Sequence, residues 1–362
     1  MGCSIAGIID EKGNRFSGEE IIHAISKMYL RANGLGGGFA GYGIYPAHKD
    51  DFCFHIIYND EKARENTESY LKHDFEIVKE EPIPTRTVKS IVNRPLLFRY
   101  FLRVKDEIKK QFYEMTQEDI VMRSVMKINA AQSGAFVISS GKNMGIFKGV
   151  GFASDIGKFY KLEEYSGYCW LAHDRFPTNT PGWWGGAHPF GLLNFSIVHN
   201  GEISSYGINK RYLEEFGYQL TLHTDSEVIL YLFDLLLRKH KLPMAVAHKI
   251  LCPPLWSEIE RMPDVSKNFF ETLRIIYGSA LINGPSAIIV SDGKMMFGFT
   301  DRLKLRPLVA ARNGSKFYLA SEECAIQEVC PLKKGDVFFP KVGEPAIGKL
   351  RSQMTADKKQ RR

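Results

Sequence analysis

The stretch Leu171 to Leu230 holds most of the side chains in this sequence that could do chemistry together. It contains His173-Asp174-Arg175-Phe176-Pro177-Thr178-Asn179-Thr180, then Ala187-His188-Pro189, then His199-Asn200-Gly201-Glu202-Ile203, then His223-Thr224-Asp225-Ser226-Glu227-Val228-Ile229. A cysteine stands apart at position 3, followed by Ser4-Ile5-Ala6-Gly7. A thiol near an N-terminus can use the chain's α-amine as its base, because that group titrates at about 7.7–8.0, close to the optimum for proton transfer at neutral pH. Such a nucleophile needs no dedicated histidine. Arg175 offers a planar fork that fits a carboxylate, with the Thr178 hydroxyl in support, and Asp225 can pair with an ammonium. Two opposite charges at fixed separation read a zwitterion.

Each of these residues also has a plainer use. Cys3 could be an inert buried strand cysteine, or part of an acylation signal opened by Met1-Gly2, although Ala6 stands where a myristoylation signal has Ser or Thr. Arg175 could serve a surface ion pair, Asp225 could cap the helix that follows it, and Asn200-Gly201 is an ordinary hairpin turn signal. His188 reads as structural support rather than a proton carrier. The glycines Gly34, Gly36, Gly37, Gly38 and Gly41 have neither a P-loop lysine nor a dinucleotide-binding spacing.

The elements that must position these residues follow from periodicity. Cys3 to Ile9 reads as a strand and Gly18 to Leu30 as a helix, and Phe52 to Tyr58 is strand-like. From Asn59 to about Ser139 the composition turns charged and helical, with a strand at Phe75 to Val78 and helices expected over Leu96 to Tyr113 and Gln117 to Ile128, an inserted α+β lobe at about 59–139. Strand runs resume at Phe136 to Ser139, Tyr168 to His173, Phe195 to His199, Ala287 to Val290, Met295 to Thr300, Leu308 to Ala311 and Phe317 to Ala320. Helical spacing occupies Asp225 to Leu237 and the region near Phe269 to Tyr277. Strands and helices come in blocks rather than in strict alternation, which favours an α+β sandwich over a doubly wound sheet.

The 362 residues suffice for one large or two modest domains, and 44% hydrophobic with 25% charged residues is a globular composition. The most apolar stretch, Val228 to Leu237, is interrupted by Asp234 and is too short to span a membrane, and no signal peptide opens the chain. A cytoplasmic protein is expected. The net charge is +7, but the segment 349–362 sets six basic side chains against Asp357, so the remaining body carries only +2. That leaves no broad basic face for nucleic acid, and 351–362 reads as a disordered basic tail. Six scattered cysteines with no C-x-x-C pair argue against zinc and against a disulfide framework.

In order and spacing, the four blocks and the early cysteine resemble the class II glutamine amidotransferases, which are N-terminal-nucleophile hydrolases. Arg175 to Thr180 with Pro181 and Trp183, Asn200 to Ile203, Asp301-Arg302, Arg306-Pro307 and Ala320-Ser321-Glu322 look most like the amidotransferase domain of glutamate synthase. The resemblance implies a four-layer αββα sandwich over residues 1–350. It also implies Cys3 as nucleophile, the Asn200 amide and Gly201 N–H as the oxyanion hole, Arg175, Thr178 and Asp225 as glutamine ligands, and Phe176 and His188 in support. Losing one oxyanion donor typically costs about 3–4 kcal/mol of transition-state stabilisation.

Two positions depart from the family pattern. Met1-Gly2 precede Cys3, so Gly2 must be removed before the Cys3 amine can act as a base, and Ser4 stands where glycine is usual. Because the chain ends soon after Phe338-Phe339-Pro340, the expected partner is a separate synthase subunit that holds FMN and iron–sulfur groups, none being expected in this chain. Ammonia would pass to that subunit and aminate 2-oxoglutarate. Two alternatives stand beside this: the amidotransferase of another ammonia-using synthase, such as one making N-methylglutamate, and a catalytically silent glutamine-binding regulatory module.

Overall fold

The structure, a computed structural model, describes residues 2–131, 133–176, 182–333 and 335–351. The strand Ser4–Asp10 is buried along its whole length, with Ile5, Ile8 and Ile9 leaving no face for water. It therefore lies inside a sheet, between Cys169–Asp174 and Lys316–Ala320. The full first sheet runs Val337–Phe338, Val309–Asn313, Lys316–Ala320, Ser4–Asp10, Cys169–Asp174, Gly37–Tyr42 and Met144–Gly149, all antiparallel. A second antiparallel sheet runs Phe190–Leu192, Phe195–Gly201, Ser286–Ser291, Met295–Thr300 and Ala346–Lys349.

The two sheets stack face to face. Their approach is close at Gly7, where an added Cβ would come within 2.6 Å of Met296 Sδ on the second sheet. Helix Glu19–Ser26 covers the outer face of the first sheet through Ile21, Ile22 and Ile25, with Ala153–Phe159 beside it. Helices Tyr206–Glu215 and Asp225–Phe233 lie on the side of the second sheet, and the latter continues as a π-helical turn over Asp234–Lys239. The layers are αββα, as the resemblance implied, and the class is α+β, as the block arrangement favoured. No described helix is long and apolar enough to cross a membrane.

The inserted segment forms a four-stranded antiparallel sheet ordered Phe75–Pro82, Leu96–Val104, Phe52–Tyr58, Ala135–Ser139, with helices Glu61–Asp74 and Gln117–Ala130. It begins at Phe52 rather than at 59, because Phe52–Tyr58 pairs with Leu96–Val104 and Ala135–Ser139. The helix expected over Leu96 to Tyr113 is instead the strand Leu96–Val104 followed by the short helix Asp106–Gln111. Leu-Leu-Phe-Arg-Tyr-Phe-Leu-Arg-Val sits between two partner strands and buries residues on both faces, so its apolar positions show no clean alternation. The buried His55 anchors this lobe, contacting the Ile146 carbonyl and the Tyr45 hydroxyl, each at 2.9 Å. Ala135–Ser139 lies against both Met144–Gly149 and Phe190–Leu192, so the lobe bridges the edges of the two main sheets. Most of the basic tail, 352–362, lies outside the described residues.

Candidate active site

Cys3 stands at the entrance of the first strand, which is tightly held. The Ile5 N–H donates to Ser321 Oγ at 3.1 Å, the Ser321 N–H returns to the Ile5 carbonyl at 2.9 Å, and the Ser4 hydroxyl donates to the Met28 carbonyl at 3.2 Å. Ser4 pairs with Asp174 across the sheet, which brings Cys3 beside the residues just past that strand. There the Phe176 N–H donates to Cys3 Sγ at 3.3 Å. Burial pushes the Cys3 thiol up, while the Phe176 N–H and the charges of Arg175 and Arg306 pull the other way. With Gly2 joined to its nitrogen, Cys3 has a half-buried thiol and no amine to take its proton.

Asn200 and Gly201 end the strand Phe195–Gly201 of the second sheet. The Asn200 side chain is buried, and neither its Nδ2 nor its Oδ1 has a hydrogen-bond partner among the described residues. Gly201 has φ +146°, and a Cβ there would stand 1.9 Å from the Pro285 carbonyl oxygen, so only glycine fits. Gly2 sits directly over this corner. A Cβ on Gly2 would lie 3.0 Å from Asn200 Oδ1 and 2.8 Å from Arg306 Nη1.

Asp225 opens the helix Asp225–Phe233, and the cap is Thr224, whose hydroxyl accepts from the Ser226 N–H at 3.4 Å. The Asp225 carboxylate accepts from the Ile203 N–H at 3.1 Å, and its other oxygen lies 3.7 Å from His199 Nδ1. Burial alone would raise this carboxyl, yet His199, the Ile203 N–H and the Ser226 hydroxyl hold it below the usual carboxylate range. Arg175 faces the same space. Burial lowers its pKa, against the Cys3 and Asp225 groups nearby.

His188 stacks on His173 with ring centroids 4.0 Å apart and places Nε2 2.8 Å from Ser226 Oγ. Its burial drives it well below the ordinary imidazole range, which suits a fixed neutral ring rather than a proton carrier.

Cys3, Arg175, Phe176, His188, Asn200, Gly201 and Asp225 thus line one cavity of about 290 Å³ between the two sheets. Thr178, the remaining residue expected here, lies outside the described residues. Gly2, His199, Ser226 and Arg306 also line the cavity, though sequence reasoning gave them no place in it. His199, Ser226 and Arg306 stood within the informative motifs, yet their partners are on other elements, and only the fold joins them. A thiol, a buried unpaired amide and two opposite charges in a space of this size can bind a small zwitterion and attack its acyl carbon.

Residues 59–333 match the family described as glutamine amidotransferases class-II. An uncharacterized protein of Archaeoglobus fulgidus is 49% identical over 356 residues, covering 98% of this chain and 93% of that one. The amidophosphoribosyltransferase of Methanocaldococcus jannaschii is 29% identical over 60% of this chain and 43% of its own length. The glutamate synthase [NADPH] large chain of Bacillus subtilis is 28% identical over 51% of this chain and 13% of its own length. The chain therefore spans less than half of these last two proteins. With more than half of its length matching the family, and with the fold and cavity described above, the chain belongs to the class II glutamine amidotransferases.

Proposed function

We propose that the chain is a glutaminase subunit that hydrolyses glutamine through a thioester on Cys3 and passes ammonia to a separate synthase subunit. The observation that carries this reading is the buried, unpaired Asn200 amide facing the same cavity as the Cys3 thiol, with Arg175 and Asp225 there to hold the two charged ends of an amino acid. Once Gly2 is removed, the Cys3 amine takes the thiol proton and the thiolate attacks the side-chain carbonyl carbon of glutamine. Asn200 Nδ2 and the Gly201 N–H receive the oxyanion. Its collapse breaks the C–N bond, the ammonium returns the proton to the leaving nitrogen, and ammonia departs. Water then hydrolyses the thioester to release glutamate.

The similarity to the glutamate synthase large chain supports the acceptor reading. The ammonia aminates 2-oxoglutarate in the partner, which carries the flavin and iron–sulfur groups. Gly2 lying over Asn200, with Cys3 acylated, favours one second reading, a glutamine-binding regulatory module that stays unprocessed.

The test is ammonia release from glutamine by a chain beginning at Cys3 and by one that retains Gly2. Activity in the first alone supports the hydrolase; activity in neither favours the module. Two glutamates formed per glutamine, in the presence of 2-oxoglutarate, an electron donor and the co-purified partner, supports the synthase pairing. One glutamate with free ammonia contradicts it.

A further inference from the structure

We propose that Ser226 is a positioning residue that aims the Asp225 carboxylate at the α-ammonium of the substrate, its own hydroxyl being fixed by two imidazole donors, His188 and His199. The inference rests on the reading of the cavity as a glutamine site. Ser226 is fully buried at the second position of the helix Asp225–Phe233. Its oxygen lies 2.8 Å from His188 Nε2, 3.2 Å from His199 Nδ1 and 3.2 Å from Asp225 Oδ1.

A hydroxyl has one proton to give and two lone pairs to offer. An ionised carboxylate only accepts, so the Ser226 proton goes to Asp225, and both rings must donate to Ser226 Oγ for the three contacts to be made. The rings are held in turn. His173 places Nε2 3.0 Å from the His199 carbonyl, which settles its tautomer, and stacks against His188. Nδ1 of His173 and Nδ1 of His188 have no partner among the described residues, as befits neutral rings whose single N–H is already engaged.

Two elements thus converge on one oxygen, and a third backs their rings. The first-sheet strand supplies His173, the segment leading to Phe190–Leu192 supplies His188, and the second-sheet strand supplies His199. The neutral hydroxyl orients Asp225 without itself adding a charge beside the carboxylate. The Thr224 hydroxyl, at 3.3 Å from Oδ1, and the Ile203 N–H complete the setting.

The test is glutamine binding by calorimetry to the unreactive Cys3→Ala chain, compared with competition by 4-carbamoylbutanoate, which lacks the α-amino group. Ser226→Ala should weaken glutamine about 10- to 100-fold, leave the analogue unchanged, and so erase the preference for the amino group. Ser226→Thr, which keeps the hydroxyl, should stay within about threefold of the parent. Should Ser226→Ala fail to fold, Ser226→Cys takes its place under the same criteria. Equal loss for both ligands, or no loss for either, overturns the positioning role. If the parent itself does not bind glutamine, the cavity reading falls first, and the inference with it.

Discussion

Buried polar groups meet opposite treatment in the inserted lobe and in the cavity between the sheets. In the lobe the Tyr58 hydroxyl donates to Tyr100 at 3.1 Å, Tyr100 donates to Glu68 Oε1 at 2.9 Å, and Arg64 Nε reaches the same oxygen at 2.8 Å. Where the lobe meets the helix layer, Arg238 forks between Asp119 at 2.6 Å and Asp234 at 2.6 Å. In the cavity, both polar atoms of the Asn200 amide and Nε of Arg306 have no partner among the described residues. An unmet buried donor costs about 1–3 kcal/mol, so the cavity gives up stability that a bound ligand can return. The Tyr58–Tyr100–Glu68 chain in the lobe is closed on protein partners, whereas the Asn200 amide has none among the described residues.

That contrast can be broken by substitutions that should separate activity from stability. Cys3→Ala should abolish ammonia release while leaving glutamine binding and thermal unfolding close to those of the parent, because only the nucleophile is lost. Asn200→Ala should lower kcat about 10²- to 10³-fold, and since its amide has no partner among the described residues, thermal unfolding should scarcely move. An unchanged kcat would remove Asn200 from the oxyanion role.

Arg175→Lys replaces a bidentate fork by a point charge and should raise KM for glutamine about 10- to 100-fold, with Asp225→Asn acting likewise at the ammonium end. An unchanged KM in either variant contradicts the charge-reading role of that residue. Tyr100→Phe in the lobe should do the reverse of all these. It strands the Tyr58 hydroxyl and removes one of the donors to Glu68, costing about 1–3 kcal/mol in denaturant unfolding, with KM and kcat unmoved. A catalytic defect there would show that the lobe is coupled to the cavity.

Three of the four motif blocks made their candidate residue legible because it stands at a strand or helix end, where local sequence is informative. Asn200 ends a strand, Asp225 begins a helix, and Arg175 follows a strand directly. What sequence could not show was which ends meet. Arg306 reaches the corner over Gly2, and Ser226 reaches His188 and His199, only through the stacking of two sheets. The lobe boundary was misplaced for a related reason. Composition turns charged at Asn59, but strand pairing begins at Phe52, and pairing is a property of two segments rather than one. Leu96–Val104 had apolar positions at helix-compatible spacing, and its central place among strands overrode that local reading.

The central claim is that Cys3, freed of Gly2, is the nucleophile, and labelling tests it most directly. Among the described cysteines only Cys3 and Cys324 are partly exposed, while Cys53, Cys169, Cys252 and Cys330 are buried. Active protein should be treated with an electrophilic glutamine analogue, digested, and its labelled peptide weighed and sequenced. The account predicts a single modified peptide whose first residue is Cys3, protected by excess glutamine. Label on Cys324 or on any other cysteine, or on a peptide from fully active protein that still carries Gly2, would contradict it.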